Sequence, residues 1–350
     1  MKKNSICNLL KLMALLLILC LLPTLAGAEK AADNWAYFLL ICNEGMNNEQ
    51  GNAGNTLMVV GMDPVRGQIR LMMFTWDTFI DYEGYDVPQK LDMPYRNNGP
   101  EEAMKVINQN FGLNINHYLS LNYLNMASLI DEYGGVTVDI TRAERNALNG
   151  LVGSKKIRLQ EEVASGELSQ MVIDLLAQQY YLSDFGSNVR LNGLQAVGFG
   201  WLQYDSVYNC CERDAEVVAA LFHSASEFLS DRIALYTDET GVPADFYGRR
   251  GINLDHLSDD DYDFIRKLID PIFKKSDNNM EEEEIRSITL SLARIAYQAQ
   301  REGGDILDLM RSTILPLEAT KPYDNVAGTQ GHLVDKEANI EAVREFLNGD

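Results

Sequence analysis

NTLMVVGMDPVRGQIRLMMFTWDTF, residues 55–79, is the stretch on which the fold turns. It reads as a strand from Leu57 to Met62, a turn at Asp63-Pro64-Val65-Arg66-Gly67, and a returning strand from Gln68 to Phe74. Both runs are mostly apolar instead of alternating, the pattern of strands covered on both faces. Pro64 supplies the fixed φ that suits a turn, and Gly67 the permissive backbone after it. Apolar character breaks at Thr75-Trp76-Asp77-Thr78, so a carboxylate follows the end of a strand, where α/β sheets usually meet ligands. KLDMPYRNNGPEEAMKV, residues 90–106, follows a short acidic loop. In it Asn97-Asn98-Gly99-Pro100 opens a helix with proline in its first turn. A strand-end acid, a lysine and a helix N-terminus converge on one expected pocket.

Outward from this segment, the N-terminus carries Lys2, Lys3 and Lys11 around an apolar run, Leu12 to Leu22, ending at Ala26-Gly27-Ala28. That describes a secretory signal over residues 1–28, cleaved or retained as an anchor. The run before Pro23 is well short of the roughly 20 residues that span a bilayer. Its removal takes three lysines and no acids, so the formal charge goes from −21 to −24. So acidic a chain repels phosphate backbones, which excludes nucleic acid as a partner. Beyond the signal three cysteines remain: Cys42, Cys210 and Cys211. Either Cys42 bridges one of the adjacent pair, as an oxidising compartment permits, or all three are buried thiols.

Further strands are expected at Ala36–Ile41, His117–Leu121 and Val136–Ile140. Helices are expected at Glu101–Phe111, stopped by Gly112, and at Tyr123–Tyr133, capped by Asn122 and closed by Gly134-Gly135. More helices follow at Ser169–Leu182, Glu212–Asp231, Asp259–Phe273, Glu281–Glu302 and Asp305–Ile314, with a closing strand and helix between Leu317 and Leu347. Glu281 to Glu284 read as a solvated helix start favoured by the dipole. No repeat or linker divides the chain. The fold class is α/β: one domain over residues 29–350, with a central mixed β-sheet flanked by helices on both faces. Its core is placed at about 36–232 and a helical C-terminal extension at about 233–350.

The same residues resemble the LytR–CpsA–Psr family of bacterial envelope proteins. Its members show Arg-Ser-Asp-Thr, a hairpin, Pro-Arg-Asp-Thr, then Lys-Ile-Asn and Ala-Tyr-x-x-Gly-Gly-Pro-Glu. Asn55-Thr56 falls on the first Asp-Thr, Trp76-Asp77-Thr78 on Arg-Asp-Thr, and Lys90-Leu91-Asp92 on Lys-Ile-Asn. Tyr95 and Gly99-Pro100-Glu101 keep the frame, and Leu191-Asn192-Gly193-Leu194-Gln195-Ala196 matches a later Leu-x-Gly-x-Gln-Ala block. The resemblance implies an extracytoplasmic phosphotransferase that moves a glycopolymer from a polyprenyl-pyrophosphate carrier to peptidoglycan at the membrane surface. It implies Mg²⁺ held by Asp77, with Glu44 and Asn55 at the other acidic positions, and Arg213 as a catalytic partner. Lys90, Arg96, Trp76, Trp201 and Gln203 would line the substrate site.

That chemistry needs guanidinium forks on phosphate oxygens and an acid to take the attacking hydroxyl's proton. Here Trp76, Trp201, Gln203 and Cys210 stand where the family has arginines, and only Arg213 persists. Each lost charge-assisted contact would be worth roughly 1.5–3 kcal/mol. Two readings result: a phosphotransferase, or a catalytically impaired homologue that binds a glycan, lipid carrier or partner. Tryptophans either offer aromatic faces to sugar or prenyl groups, or fill vacated volume. His117, His223, His256 and His332 are scattered and form no metal or triad pattern.

Overall fold

The computed structural model describes residues 35–43, 54–75, 77–151, 179–243, 248–302, 304–317, 321–324 and 330–349. The expected signal segment, Glu44, Trp76, the Asn55 side chain and most of the expected 169–182 helix lie outside these. The strands, in chain order, are β1 (Ala36–Asn43), β2 (Gly54–Asp63), β3 (Gln68–Phe74), β4 (Thr78–Ile80), β5 (Gln89–Lys90), β6 (His117–Asn122), β7 (Val136–Ile140), β8 (Gly186–Leu191), β9 (Ile233–Tyr236), β10 (Arg250–Asn253), β11 (Asp277–Asn278), β12 (Met310–Leu315), β13 (Lys321–Asp324) and β14 (Gln330–Leu333).

The central sheet has six strands in the order β11-β6-β1-β2-β3-β12. β1 pairs antiparallel with β2, and β2 with β3, while β6 and β12 run parallel to β1 and β3. Four carboxyl ends therefore share one edge: Asn43, Phe74, Asn122 and Leu315. The hairpin turn is held by Asp63, whose Oδ1 accepts from the N–H groups of Val65 (2.9 Å) and Arg66 (3.0 Å), with Gly67 at φ 67°.

Strand residues alternate between two cores, as period-2 geometry requires. Tyr37, Leu39, Ile41, Leu57, Val59 and Met72 face one layer, with the helices Pro100–Phe111 and Lys336–Asn348. Phe38, Leu40, Cys42, Met58, Val60 and Met62 face the other. There the covering helices are Tyr123–Glu132, Gly193–Gly200, Val207–Ser230, Asp259–Lys275 and Glu282–Glu302. The mixed sheet with helices on both faces is as expected.

The 191–196 block has a packing explanation. Leu191 ends β8, and Asn192 and Gln195 form a reciprocal capping box. A Cβ at Gly193 would sit 1.8 Å from the Ala127 carbonyl oxygen, so only glycine lets these two helices approach so closely. Gly193 N–H also donates to Asp131 Oδ1 at 2.7 Å.

Three sequence expectations are corrected. Asp305–Ile314 is not a helix: a short 3-10 turn, Ile306–Leu309, leads into β12 at the sheet edge. Pairing with β3 overrides local propensity there. The helix expected from Glu212 starts at Val207, because Ser206 caps it through the Asn209 N–H. The 233–350 segment is more than an extension, since it adds β11 and β12 to the central sheet. Among the described residues no helix is long and apolar enough to cross a membrane.

Candidate functional site

At the shared edge, Asp77 follows β3 and precedes β4. Its Oδ2 lies 3.4 Å from His332 Nδ1, and its backbone carbonyl accepts from the His332 N–H at 3.0 Å. β14 comes this close because residue 331 is glycine: a Cβ there would stand 2.1 Å from the Asp77 carbonyl oxygen. Asp77 Oδ1 is buried without a hydrogen-bond partner.

Beneath lies a polar chain on the same sheet face as Phe38 and Leu40. Thr56, opposite Cys42 in the β1–β2 register, donates from Oγ1 to Asp214 Oδ2 at 2.5 Å. Trp201 Nε1 donates to Thr56 Oγ1 at 3.1 Å. Trp201 is half-buried, and its ring centroid lies 6.4 Å from that of Tyr123. The Asp214 carboxyl is pushed up to about 7 by burial, against which only the Thr56 hydrogen bond acts. Burial and the Asp214 charge also raise Cys42. Cys211 is raised by burial first, then by Asp214, Cys210 and Asp77. Asp77, Asp214 and Cys211 thus share one neighbourhood. Cys42, Cys210 and Cys211 are all buried free thiols, which settles the cysteine alternatives in favour of no bridge.

Arg213 is committed elsewhere. Its Nη1 and Nη2 grip Asp205 at 2.9 and 2.8 Å, Nη2 also donates to the Leu202 carbonyl at 2.5 Å, and Glu144 lies 3.6 Å away. Burial alone would lower its pKa, but Asp205, Cys210 and Glu144 together raise it. The Arg213 hydrogen bonds in turn hold Asp205 down at about 2. Lys90 lies opposite Phe79 in the β4–β5 pair, and the Leu91 N–H donates to the Thr78 carbonyl at 3.0 Å. Arg96, half-exposed, sits 3.7 Å from Asp92, and burial raises the Asp92 carboxyl while Arg96 and Lys90 lower it. Gln203 is exposed on the loop before helix Val207–Ser230. The structure therefore ties Trp201 to Asp214 through Thr56, sets Asp77 against His332, places Lys90 and Arg96 around Asp92, and turns the Arg213 guanidinium to Asp205.

Sequence reasoning missed Thr56, Asp214 and His332. Asp214 could have been found: it falls in the apolar phase of its helix, four residues before Val218, and a carboxylate in a buried stripe is conspicuous. His332 carries no local signal, because its partner is far away in the chain.

The resemblance implies a divalent cation among these donors. The orphaned Asp77 Oδ1 is the kind of atom a divalent cation satisfies. Yet no group of three or more His, Cys, Asp or Glu side chains among the described residues could hold a metal. Of the expected ligands only the Asp77 side chain is among the described residues, and a divalent cation there would need further oxygen donors beside it.

Below the polar chain the same face opens into an apolar cavity of about 90 Å³. Phe38, Leu40 and Val60 line it from the sheet, and Val218, Phe222 and Ala225 from helix Val207–Ser230. That helix carries Asp214 at one end of the face and the cavity wall at the other.

Comparison with known proteins agrees with this architecture. The LytR_cpsA_psr family model matches residues 29–230. The polyisoprenyl-teichoic acid–peptidoglycan teichoic acid transferase TagU of Enterococcus faecalis is 31% identical over 91 residues, 26% of this chain and 30% of TagU. The match thus spans under a third of that relative. Among solved structures, TagV of B. subtilis superposes with a TM-score of 0.56 at 14% identity, covering 90% of this chain and 96% of TagV. TagT bound to LIIa-WTA gives 0.55 at 11%, covering 90% of each chain. At such identities the structures speak for the fold alone, but the family match covers more than half of the sequence: the chain belongs to the LytR_cpsA_psr family.

Proposed function

We propose that this chain is an extracytoplasmic envelope protein that binds a polyprenyl-phosphate-linked glycan, and that its capacity to transfer the glycan to peptidoglycan is impaired. The carrier's tail would enter the apolar cavity, with its head group at the strand ends near Asp77. The observation that carries this reading is the use of Arg213. The arginine that persists from the family pattern is spent on Asp205, Glu144 and the Leu202 carbonyl, while Trp201 hydrogen-bonds to Thr56. Asp214, buried and raised to about 7, supplies a hydrogen-bonded acid there and no positive charge for a diphosphate. The cavity is smaller than the roughly 150 Å³ apolar void that takes up benzene. A prenyl chain therefore needs the covering helices to move apart, with Ala225 and Phe222 giving way.

A second reading, Mg²⁺-dependent phosphotransfer, is favoured by the unpaired Asp77 Oδ1. In it Asp77 would hold the cation with help from Glu44, and Lys90 would contact phosphate. Binding of a short polyprenyl phosphate, and glycan transfer from a polyprenyl-pyrophosphate donor, measured with and without Mg²⁺, separate the two. The proposal expects binding indifferent to metal and negligible transfer. Metal-dependent turnover that disappears in Asp77→Ala establishes the enzyme and overturns the proposal.

A further inference from the structure

Residues 201–208 (WLQYDSVY) bring three aromatic rings, Trp201, Tyr204 and Tyr208, to the strand ends. Trp201 is tied there through Thr56, and helix Val207–Ser230 meets β3 where Cys211 Sγ donates to the Phe74 carbonyl at 3.7 Å. Tyr204 is 46% exposed and Tyr208 54%. Isolated exposed rings are ordinary on protein surfaces, so exposure alone assigns nothing.

What sets Tyr204 apart is how firmly it is held. The Arg213 guanidinium lies 5.2 Å from its ring centroid and covers one face, and its hydroxyl interacts with the Thr141 side chain. Arg213 is itself fixed by Asp205 and by the Leu202 carbonyl, two points on the same loop. Asn209 Nδ2 braces Asp205 Oδ2 at 3.0 Å, and Ser206 Oγ accepts from the Asn209 N–H at 3.0 Å. The exposure of Tyr204 therefore belongs to the ring's other face. A rigid aromatic presented in this way loses little ordering entropy when a ligand covers it. The one arginine kept from the family pattern thus acts as the backing of an aromatic surface.

The surroundings narrow the ligand. Arg213 is paired bidentately with Asp205 and has no free fork for an anion, and Glu144 and Asp205 both act on the Tyr204 hydroxyl. Recognition here rests on contact with a ring face, not on charge. Gln203, next to Tyr204 in the chain, is exposed and has no hydrogen-bond partner among the described residues. Its amide can donate to one hydroxyl and accept from another. A flat apolar face bordered by such an amide suits a pyranose, which offers C–H groups on one side and hydroxyls at its rim.

We infer that Tyr204, with Tyr208 and Gln203, forms a stacking platform for an uncharged pyranose beside the strand-end site. This rests on the glycan-binding reading above and adds to it the class of sugar and the residues that take it. Titration calorimetry of the full chain with two neutral probes, an N-acetylglucosamine trisaccharide and maltotriose, tests it. Saturable binding of at least one is expected, undisturbed by about 10 mM inorganic phosphate. Tyr204→Ala should weaken that binding about tenfold, whereas Tyr204→Phe, which keeps the ring, should stay within about threefold of wild type. The inference is overturned if neither trisaccharide saturates by about 20 mM, or if phosphate displaces the bound sugar. It is equally overturned if Tyr204→Ala binds as wild type does, or if Tyr204→Phe is as impaired as Tyr204→Ala. Binding of a glycan-free polyprenyl phosphate to the same protein tests the carrier reading separately. Its failure overturns that reading, while saccharide binding that depends on the Tyr204 ring still supports the platform.

Discussion

Replacing Asp214 with asparagine is the sharpest test of the polar chain beneath the strand ends. Asp214 is buried, receives one hydrogen bond from Thr56, and has its carboxyl raised from an ordinary 3.8 to about 7, chiefly by burial. Between those values the folded protein holds a proton that the unfolded chain has released. The stabilising contribution of this proton is complete below about pH 3.8, declines as pH rises, and is lost once pH passes about 7. The full difference corresponds to roughly 4 kcal/mol, and the part lost between about pH 5 and pH 8 to roughly 3 kcal/mol. Asparagine keeps an oxygen to accept the Thr56 hydroxyl but buries an amide whose N–H groups need partners, which costs about 1–3 kcal/mol. Urea unfolding at pH 5 and pH 8 should therefore show wild type losing more stability on going to pH 8 than Asp214→Asn does. The variant, weaker at pH 5, should draw level with or surpass wild type at pH 8. Equal pH dependence in the two proteins would refute the assignment of an uncompensated buried carboxylate.

The other predictions address the remaining parts of the site. Ala225→Leu should fill the apolar cavity and reduce polyprenyl-phosphate binding by tenfold or more, with a change in unfolding midpoint corresponding to less than about 1.5 kcal/mol; unchanged binding would remove the cavity from the proposed function. Arg213→Ala leaves Asp205, Glu144 and the Leu202 carbonyl without their cation and should cost about 1–3 kcal/mol in urea unfolding. If Arg213 grips phosphate instead, its loss will appear in ligand affinity with little change in stability. Because burial raises all three thiols, with Cys210 at about 11, iodoacetamide should label Cys42, Cys210 and Cys211 slowly in native protein and fully in urea.

Much of the fold was legible in the sequence because it is written in local chemistry. Continuous apolar runs at 57–62 and 68–74 announced strands buried on both faces. Asp63-Pro64 and Gly67 placed the turn, Asn122 the start of a helix, and Gly112 with φ 67° the end of another. Asp77 was legible as a strand-end acid for the same reason. What failed was non-local. Residues 306–315 carry apolar spacing compatible with a helix, and only an open edge beside β3 makes a strand of Met310–Leu315. Arg213 looks the same in sequence whether it faces phosphate or Asp205.

By itself the sequence determined the family and the order of most elements, since each depends on residue types at fixed spacing. Tertiary structure alone decided where the remaining charges went. It tied Arg213 to Asp205, set His332 against Asp77, and sank Asp214 beside Thr56 and Trp201. The physical reason is that a side chain's protonation and partners depend on burial and on groups that approach from distant parts of the chain. No spacing rule encodes the Thr56–Asp214 contact, because only the packing of a helix across the sheet creates it.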